Sequence, residues 1–399
     1  MSIVGVIAEY DPFHTGHAWH LAETRRLLGA DTAVVCVMSG NWTQRGTCAL
    51  TDKWTRASLA LSGGADLVLE LPTVWAASSA ESFARGAAGL LEAAGVVDVL
   101  SFGSECGDAD KLRRLAACLD SPACQAELSR FPDRGMPFAA CRQEVVRRLL
   151  GEELAALLSS PNNNLGVEYI RALSALKSPI RPMTIPRRGA GHNAPGARDG
   201  FASATHIRAL LRAGDWAAAE GLLPPGSAEV LRQAPLADLG RCERAVLARL
   251  RTMTAGDWAA LPDAGAAEGL PDRLVRAARQ AGSLNEFYEA AKTRRYAHAR
   301  LRRLVLWAFL GLTAADRPSS PPYLRVLGFN RRGQSLLREM REKANLPVLV
   351  KSAHARRMPE PARQLFELEA RCTDLYALCS PLPRPCGLEW TTGPVILDM

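Results

Sequence analysis

No apolar run in this sequence reaches the roughly eighteen residues that a membrane-crossing helix needs. Nor does the chain begin like a secreted one. It opens on Ile3-Val4-Gly5-Val6-Ile7-Ala8, which is too short for a signal segment and has no charged lead-in. That run reads as a strand, and the expected location is cytoplasmic, away from membranes. No Cys-x-x-Cys pair occurs among the ten cysteines. A disulfide framework is not expected in a chain of this size without a secretion signal, so the cysteines read as reduced core thiols. Internal repeats and low-complexity blocks are also missing. Charge of one sign is scarce as well: 49 basic against 41 acidic residues leave a formal +8. That balance permits a polyanionic partner without requiring one.

What is present fits two domains, because 399 residues exceed one ordinary core. Apolar strand-like runs at 3–8, 32–38, 66–70, 97–102 and 178–185 alternate with helical stretches at 16–28, 80–94 and 165–176. In the first helix His20, Leu21, Leu27 and Leu28 are the expected inward positions. Such alternation predicts an α/β fold, a doubly wound parallel sheet covered on both faces. Beyond about residue 215 the strand signals fade. Alanine, leucine and arginine take over, with breaks at Pro224-Pro225, Pro262, Pro271 and 319–322. Residues 1–215 are therefore expected to hold a nucleotide site and residues 216–399 a mainly α-helical domain. The last twenty residues, rich in proline, read as an irregular tail.

The chemistry starts directly after the first strand. Glu9-Tyr10-Asp11-Pro12-Phe13 reads as a loop and His14-Thr15-Gly16-His17 as the opening of a helix. In a doubly wound sheet, ligands sit outside the carboxyl ends of the strands. A helix start there offers unpaired N–H groups and a positive dipole end to a phosphate. His14 and His17 share one face of the first turn, and Gly16 removes a side chain where a phosphate would approach. Two imidazoles so placed can donate to charge developing on an α-phosphate during in-line attack. Ordinary helix histidines and a metal cluster are the competing readings. A zinc site lacks suitably placed cysteine or carboxylate partners, so no protein-held metal is expected.

A strand followed by His-x-Gly-His resembles the nucleotidyltransferase superfamily related to class I aminoacyl-tRNA synthetases. The longer run from Gly5 to His17 is similar to the tRNA(Met) cytidine acetate ligase family, with Asp11 where that family usually has Asn. The resemblance continues in order along the chain. It passes through Met38-Ser39-Gly40-Asn41, Gln44-Arg45-Gly46, Asp52-Lys53-Trp54 and Phe102-Gly103-Ser104-Glu105. Asn162 to Tyr169 follows, with Asn164 in place of an apolar residue. Ile185-Pro186-Arg187-Arg188, Ala190-Gly191-His192, Ser203-Ala204-Thr205-His206-Ile207-Arg208 and Val326-Leu327-Gly328-Phe329-Asn330 complete the set. His192 stands where the family commonly has Tyr.

The resemblance implies a Rossmann-like (HUP-type) fold and an ATP-dependent ligase that makes N4-acetylcytidine at the wobble position, C34, of elongator tRNA(Met). Acetate would be activated as acetyl-adenylate, with Mg²⁺ bridging the phosphates. His14 and His17 are the implied catalytic residues. The implied ATP contacts are Ile7, Ala8, Glu9, Tyr10, Asp11, Pro12, Phe13, His14, Gly16, His17, Gly103, Asn162, Arg187, Arg188, Ser203 and Arg208. Each also has a plain reading. Gly103 closes a strand end, Asn162 suits a helix cap or an adenine reader, and Ser203 or Thr205 can cap the helix that carries Arg208. Arg45 and Lys53 fit either triphosphate or RNA. The segment from Lys292 to Arg303 is basic, with no acid in it. Lys292, Arg294, Arg295, Arg300, Arg302 and Arg303 are candidate phosphate contacts, with Tyr296 and His298 interleaved as stacking groups for RNA; a solvated helix face is the competing reading. Arg331-Arg332 and Arg356-Arg357 are candidates to extend that patch. A small-molecule adenylyltransferase would share the first half without needing the basic helical part. A non-catalytic tRNA-binding protein would not need His14 and His17.

Overall fold

Strand-forming runs of Val, Ile and Leu that are apolar on both faces can be buried only inside a covered parallel sheet, and that is where they lie. The computed structural model describes residues 2–130, 138–188, 196–198, 200–265 and 268–398. Ala190-Gly191-His192 falls outside the described residues. Five strands run parallel: β1 (Ile3–Ala8), β2 (Ala33–Ser39), β3 (Leu67–Leu71), β4 (Val99–Ser104) and β5 (Arg181–Pro186). Their spatial order is β3-β2-β1-β4-β5. The winding therefore reverses between β1 and β4, and the crevice outside their carboxyl ends is the natural ligand position of this fold.

Helices α1 (Thr15–Leu28), α2 (Lys53–Ser62), α3 (Ala80–Ala93), α4 (Pro161–Ala175) and α5 (Ala204–Ala213) connect or flank these strands. In α1, Leu21 is fully buried, but Leu27 is 49% exposed and does not face inward as its spacing suggested. α4 begins at Pro161, earlier than residue 165, because proline fits the first helical turn, where no N–H is needed.

The C-terminal part is mainly helical, as expected, and includes α6 (His298–Leu310). It also returns three strands to the same sheet. β6 (Leu324–Asn330) pairs antiparallel with β3, joining Val326 to Leu69. After α7 (Arg331–Lys343), β7 (Val348–Leu349) runs parallel to β6. α8 (Glu360–Ala377) follows, and β8 (Val395–Leu397) pairs with β6. The proline-rich end is thus not an irregular tail. It carries a helical turn, Leu388–Thr391, and the strand β8.

Buried ions tie this end to the sheet. Lys53 Nζ lies 2.6 Å from Glu70 Oε1 and 2.5 Å from Glu389 Oε2. Arg325 Nε is 3.5 Å from Glu389 Oε1, and Thr373 Oγ1 donates to Glu389 Oε2 at 3.0 Å. Glu369 accepts from the Thr73 backbone N–H and hydroxyl at 2.6 and 2.8 Å. Burial, with Glu70 nearby, pushes the Glu369 carboxyl up to about 8. Lys53 is therefore a structural cation. It does not reach ligand or RNA, because its partners and its complete burial leave it no path to either.

Candidate active site

The carboxyl ends of β1 and β2 are held by a residue that sequence reading did not single out. The Arg56 guanidinium, buried on α2, donates to the carbonyls of Thr51 at 3.2 Å, Glu9 at 2.6 Å and Ser39 at 3.0 Å, and to that of Gly40. The loop that follows β1 has Tyr10 at a positive φ of 46° and a cis Asp11–Pro12 peptide. Asp11 faces inward. Its Oδ1 accepts the Leu50 N–H at 2.6 Å, and Arg208 reaches its Oδ2 at 3.3 Å and its carbonyl at 2.5 Å. The additional acid is thereby engaged by the protein itself and holds Arg208 in place.

His14 is the N-cap of α1. Its Nδ1 accepts the Gly16 N–H at 3.1 Å, while His17 Nδ1 accepts the His14 N–H at 3.3 Å. Both imidazoles thus act as acceptors at Nδ1, which places the proton of each neutral ring on Nε2. The rings stack with centroids 3.7 Å apart. Burial, then the Arg187 and Arg208 charges, lowers His14 to about 3. Burial and His14 itself lead in holding His17 well below the ordinary imidazole range. His20 is lowered to about 4 by burial and Arg187, and its Nε2 meets Ser101 Oγ at 3.0 Å. Three neutral imidazoles therefore stand beside two arginines.

Two expectations change here. The first-turn N–H groups of α1 are not open to phosphate: Thr15 N donates to the Leu222 carbonyl at 3.0 Å, Gly16 N to His14 Nδ1 and His17 N to the His14 carbonyl at 2.9 Å. The donors left are the ring Nε2–H groups and the arginines. Gly16 is required by the cap. A Cβ there would stand 2.9 Å from His14 Cε1, closer than real contacts allow.

These groups border a cleft of about 580 Å³. All but four of the expected ATP contacts line it; the exceptions are Pro12, Phe13, Gly16 and Arg188. Phe13 is fully buried in the core, and Arg188 lies over the Trp19 ring at 5.1 Å, on the outer side of α1. Gly103 leaves room for Arg187, whose Cγ would be 3.3 Å from an added Cβ. Asn162 is not a cap. It is the second residue of α4, donating to Glu105 Oε1 at 2.7 Å and accepting from Arg187 Nη1 at 3.4 Å. Glu105 and Asn163, quoted in the sequence only as motif members with no role, lock the loop after β4 to this helix start. Asn163 N donates to Glu105 Oε2 at 2.8 Å, and Asn163 Oδ1 accepts the Glu105 N–H at 3.0 Å. Ser203 caps α5 through the His206 N–H at 3.2 Å, and Arg208 reaches Thr205 Oγ1 at 3.1 Å.

The opposite wall comes from the hairpin Trp42–Thr43/Thr47–Cys48 and the first turn of α6. Arg45 Nη1 donates to Thr205 Oγ1 at 3.0 Å, and Glu9 Oε1 accepts the Gln44 N–H at 2.7 Å. Gly46 packs so closely on α6 that a Cβ would be 2.5 Å from the Arg302 carbonyl carbon. The basic segment splits in two. Lys292, Arg294 and Arg302 are exposed. Arg295 and Arg300 pair with Glu268 at 3.8 and 3.3 Å, and Arg303 Nη1 reaches the Gln44 carbonyl at 3.3 Å. Tyr296 is buried with its hydroxyl on the Glu268 carbonyl, so it offers no stacking face. One member of each outlying arginine pair is engaged elsewhere. Arg332 is drawn to Asp66 at the amino end of β3, and Arg356 lies over Trp390 at 5.2 Å.

A reversed-winding parallel sheet with a His-x-Gly-His helix start at its switch point defines a nucleotidyltransferase of the HIGH class. In agreement, residues 1–386 match the family described as HIGH Nucleotidyl Transferase. A tRNA(Met) cytidine acetate ligase of Acetivibrio thermocellus is 36% identical over all of both chains, and one of Clostridium perfringens is 34% identical over 99% of this chain and all of its own. Thermotoga maritima TmcAL, solved without ligand, superposes with a TM-score of 0.94 at 33% identity over the whole of both chains. The same protein bound with alpha-thio ATP gives 0.92. The chain belongs to the tRNA(Met) cytidine acetate ligase family, and it is a ligase.

Proposed function

We propose that this protein activates acetate with ATP and transfers the acetyl group to N4 of the wobble cytidine, C34, of elongator tRNA(Met) in the cytoplasm. The observation that carries the reading is the set of two neutral imidazoles, each with its donor at Nε2, between Arg187 and Arg208 at the carboxyl ends of β1 and β4. An acetate oxygen attacks the α-phosphorus of ATP, and pyrophosphate departs with the electrons of the broken P–O bond. No protein nucleophile is needed; the site supplies donors where negative charge grows. Neutral rings suit that task, because they give hydrogen bonds without a proton to lose to solvent.

The cytidine amine then attacks the acetyl carbon, and AMP leaves. Activation is required because the amine lone pair is delocalised into the base and reacts too slowly with free carboxylate. The family's substrate name and the alpha-thio ATP held by the Thermotoga protein support this assignment. Mg²⁺ is proposed as the counter-ion of the triphosphate. Among the described residues no group of three His, Cys, Asp or Glu is arranged to hold it, and Asp11 and Glu9 are already engaged by main-chain N–H groups. Residues 1–215 are proposed to hold the phosphate chemistry, and residues 216–399 to carry the tRNA surface around Lys292, Arg294 and Arg302. No described helix is long and apolar enough to cross a membrane.

Acetate-dependent exchange of pyrophosphate into ATP tests the first step, and label moving from acetate into tRNA(Met) tests the second. Pyrophosphate release that instead requires a phosphorylated metabolite would replace this reading with a small-molecule adenylyltransferase.

A further inference from the structure

The acetyl transfer proposed above has two needs that the phosphate site does not meet. The attacking amine must lose a proton, and negative charge must be borne on the acetyl oxygen. The cleft has a second end. Asn162, Leu165 and Tyr169 occupy one face of α4 and all border the cleft. Asn162 meets Arg187 at the phosphate end, and Tyr169 lies about 10 Å further along the helix. Tyr169 is only 5% exposed, and its ring packs edge-on against Phe102 with centroids 5.6 Å apart. Its hydroxyl makes no hydrogen bond to the described residues, and the side chain lines the cleft, which leaves that hydroxyl available to a ligand there. Burial, and after it the Glu9 carboxylate, pushes the phenol upward, keeping it a neutral donor.

Glu9 follows β1 directly and lines the same cleft, near enough for its charge to act on the Tyr169 phenol. Its Oε1 accepts the Gln44 N–H at 2.7 Å. The charged groups facing it are Asp11 on its own loop, Arg45 from the hairpin and Arg208 from α5. Burial raises its carboxyl, Asp11 adds to that, and the Gln44 N–H and the two arginines oppose it. The same hairpin rests on α6 at Arg302 and Arg303, the side from which tRNA would arrive.

We infer that Glu9 accepts the proton released by the attacking cytidine amine and that the Tyr169 hydroxyl donates to the acetyl carbonyl oxygen. The assignment rests on the acetyl-transfer reading. The N–C bond forms as the amine attacks. The C–O bond to the phosphate breaks, AMP leaves with its electron pair, and one N–H proton passes to the Glu9 carboxylate. Tyr169 holds the oxygen through the tetrahedral intermediate and keeps its own proton.

Glu9→Gln retains an acceptor for the Gln44 N–H, and Tyr169→Phe retains the ring against Phe102. Each variant is read in two assays, acetate-dependent pyrophosphate exchange and single-turnover acetyl transfer to tRNA(Met). The ratio of transfer to exchange is expected to fall by roughly 10²-fold for Glu9→Gln and by at least roughly tenfold for Tyr169→Phe. In the unaltered enzyme the transfer rate should rise with pH as Glu9 ionises, and Glu9→Gln should lack that rise. A ratio within about threefold of the unaltered enzyme in both variants, or a pH rise that survives in Glu9→Gln, would overturn the assignment. A fall confined to one variant keeps that residue's role and removes the other's. Should Glu9→Gln not fold, the near-isosteric Tyr169→Phe carries the test of the oxygen contact. An unaltered enzyme inactive in both assays refutes the acetyl-transfer reading itself, a result distinct from an altered ratio.

Discussion

His14 and His17 spend their Nδ1 atoms on the start of α1, and this sets their tautomers before any substrate arrives. Replacing His17 with Ala should lower acetate-dependent pyrophosphate exchange by roughly 10²–10³-fold, the usual loss for one preorganised donor. The folded protein holds His14 at about 3 and His20 at about 4, below the ordinary imidazole value. Groups depressed in this way give stability that is complete above about pH 6.5 and lost as pH falls through the folded values. Denaturant midpoints should therefore drop between pH 6.5 and 4, and an exchange-rate profile should lack an imidazole inflection near 6.5. Asp11 gives a sharper contrast. Asp11→Asn keeps an acceptor for the Leu50 N–H and loses only the charge facing Arg208, so it should cost less than Asp11→Ala. Asp11→Ala leaves that buried N–H unpaired and should cost about 1–3 kcal/mol in a denaturant melt. The histidine pair was legible in the sequence because strand, loop and helix start are all local. The reason for Gly16 was not, since it depends on where the His14 ring turns.

At the scale of elements, the basic segment divides according to what it packs against. Charge reversal of Lys292, Arg294 and Arg302 to Glu should weaken tRNA binding, and the salt dependence of affinity should lose about one unit of slope for each phosphate contact removed. ATP affinity should hold for the Lys292 and Arg294 reversals, which lie outside the cleft lining that includes Arg302. Arg300→Ala should act on stability instead, because Arg300 joins Glu268, the Asp263 carbonyl and the Tyr296 ring. A run of charge in sequence cannot tell these two groups apart; the division follows from Glu268 and Gln44, distant in sequence, which engage Arg295, Arg300 and Arg303. Lys53 makes the same point more strongly. Beside Asp52 and Trp54 it reads as a helix start near phosphates, yet its partners Glu70 and Glu389 come from a strand and from the far end of the chain. Lys53→Ala leaves buried carboxylates uncompensated and should cost about 3–5 kcal/mol.

Over the whole molecule, the parallel sheet followed from alternating apolar runs, and its observed strand order puts the switch point, and so the cleft, beside β1. The return of β6, β7 and β8 did not follow. β6 carries the buried cation Arg325, β7 has two residues and β8 has three, so periodicity had little to register. Removing residues 387–399 takes away Glu389 and β8 together, and the shortened chain should melt at a markedly lower temperature or fail to accumulate folded. The claim that unites cleft, basic surface and sheet is acetyl transfer to one cytidine. Its most direct measurement is nucleoside mass spectrometry of unmodified tRNA(Met) after incubation with the protein, ATP and isotopically labelled acetate. Labelled N4-acetylcytidine at the wobble position, dependent on ATP and accompanied by AMP, is the predicted result. Unmodified cytidine alongside ATP turnover that does not depend on acetate would contradict the account.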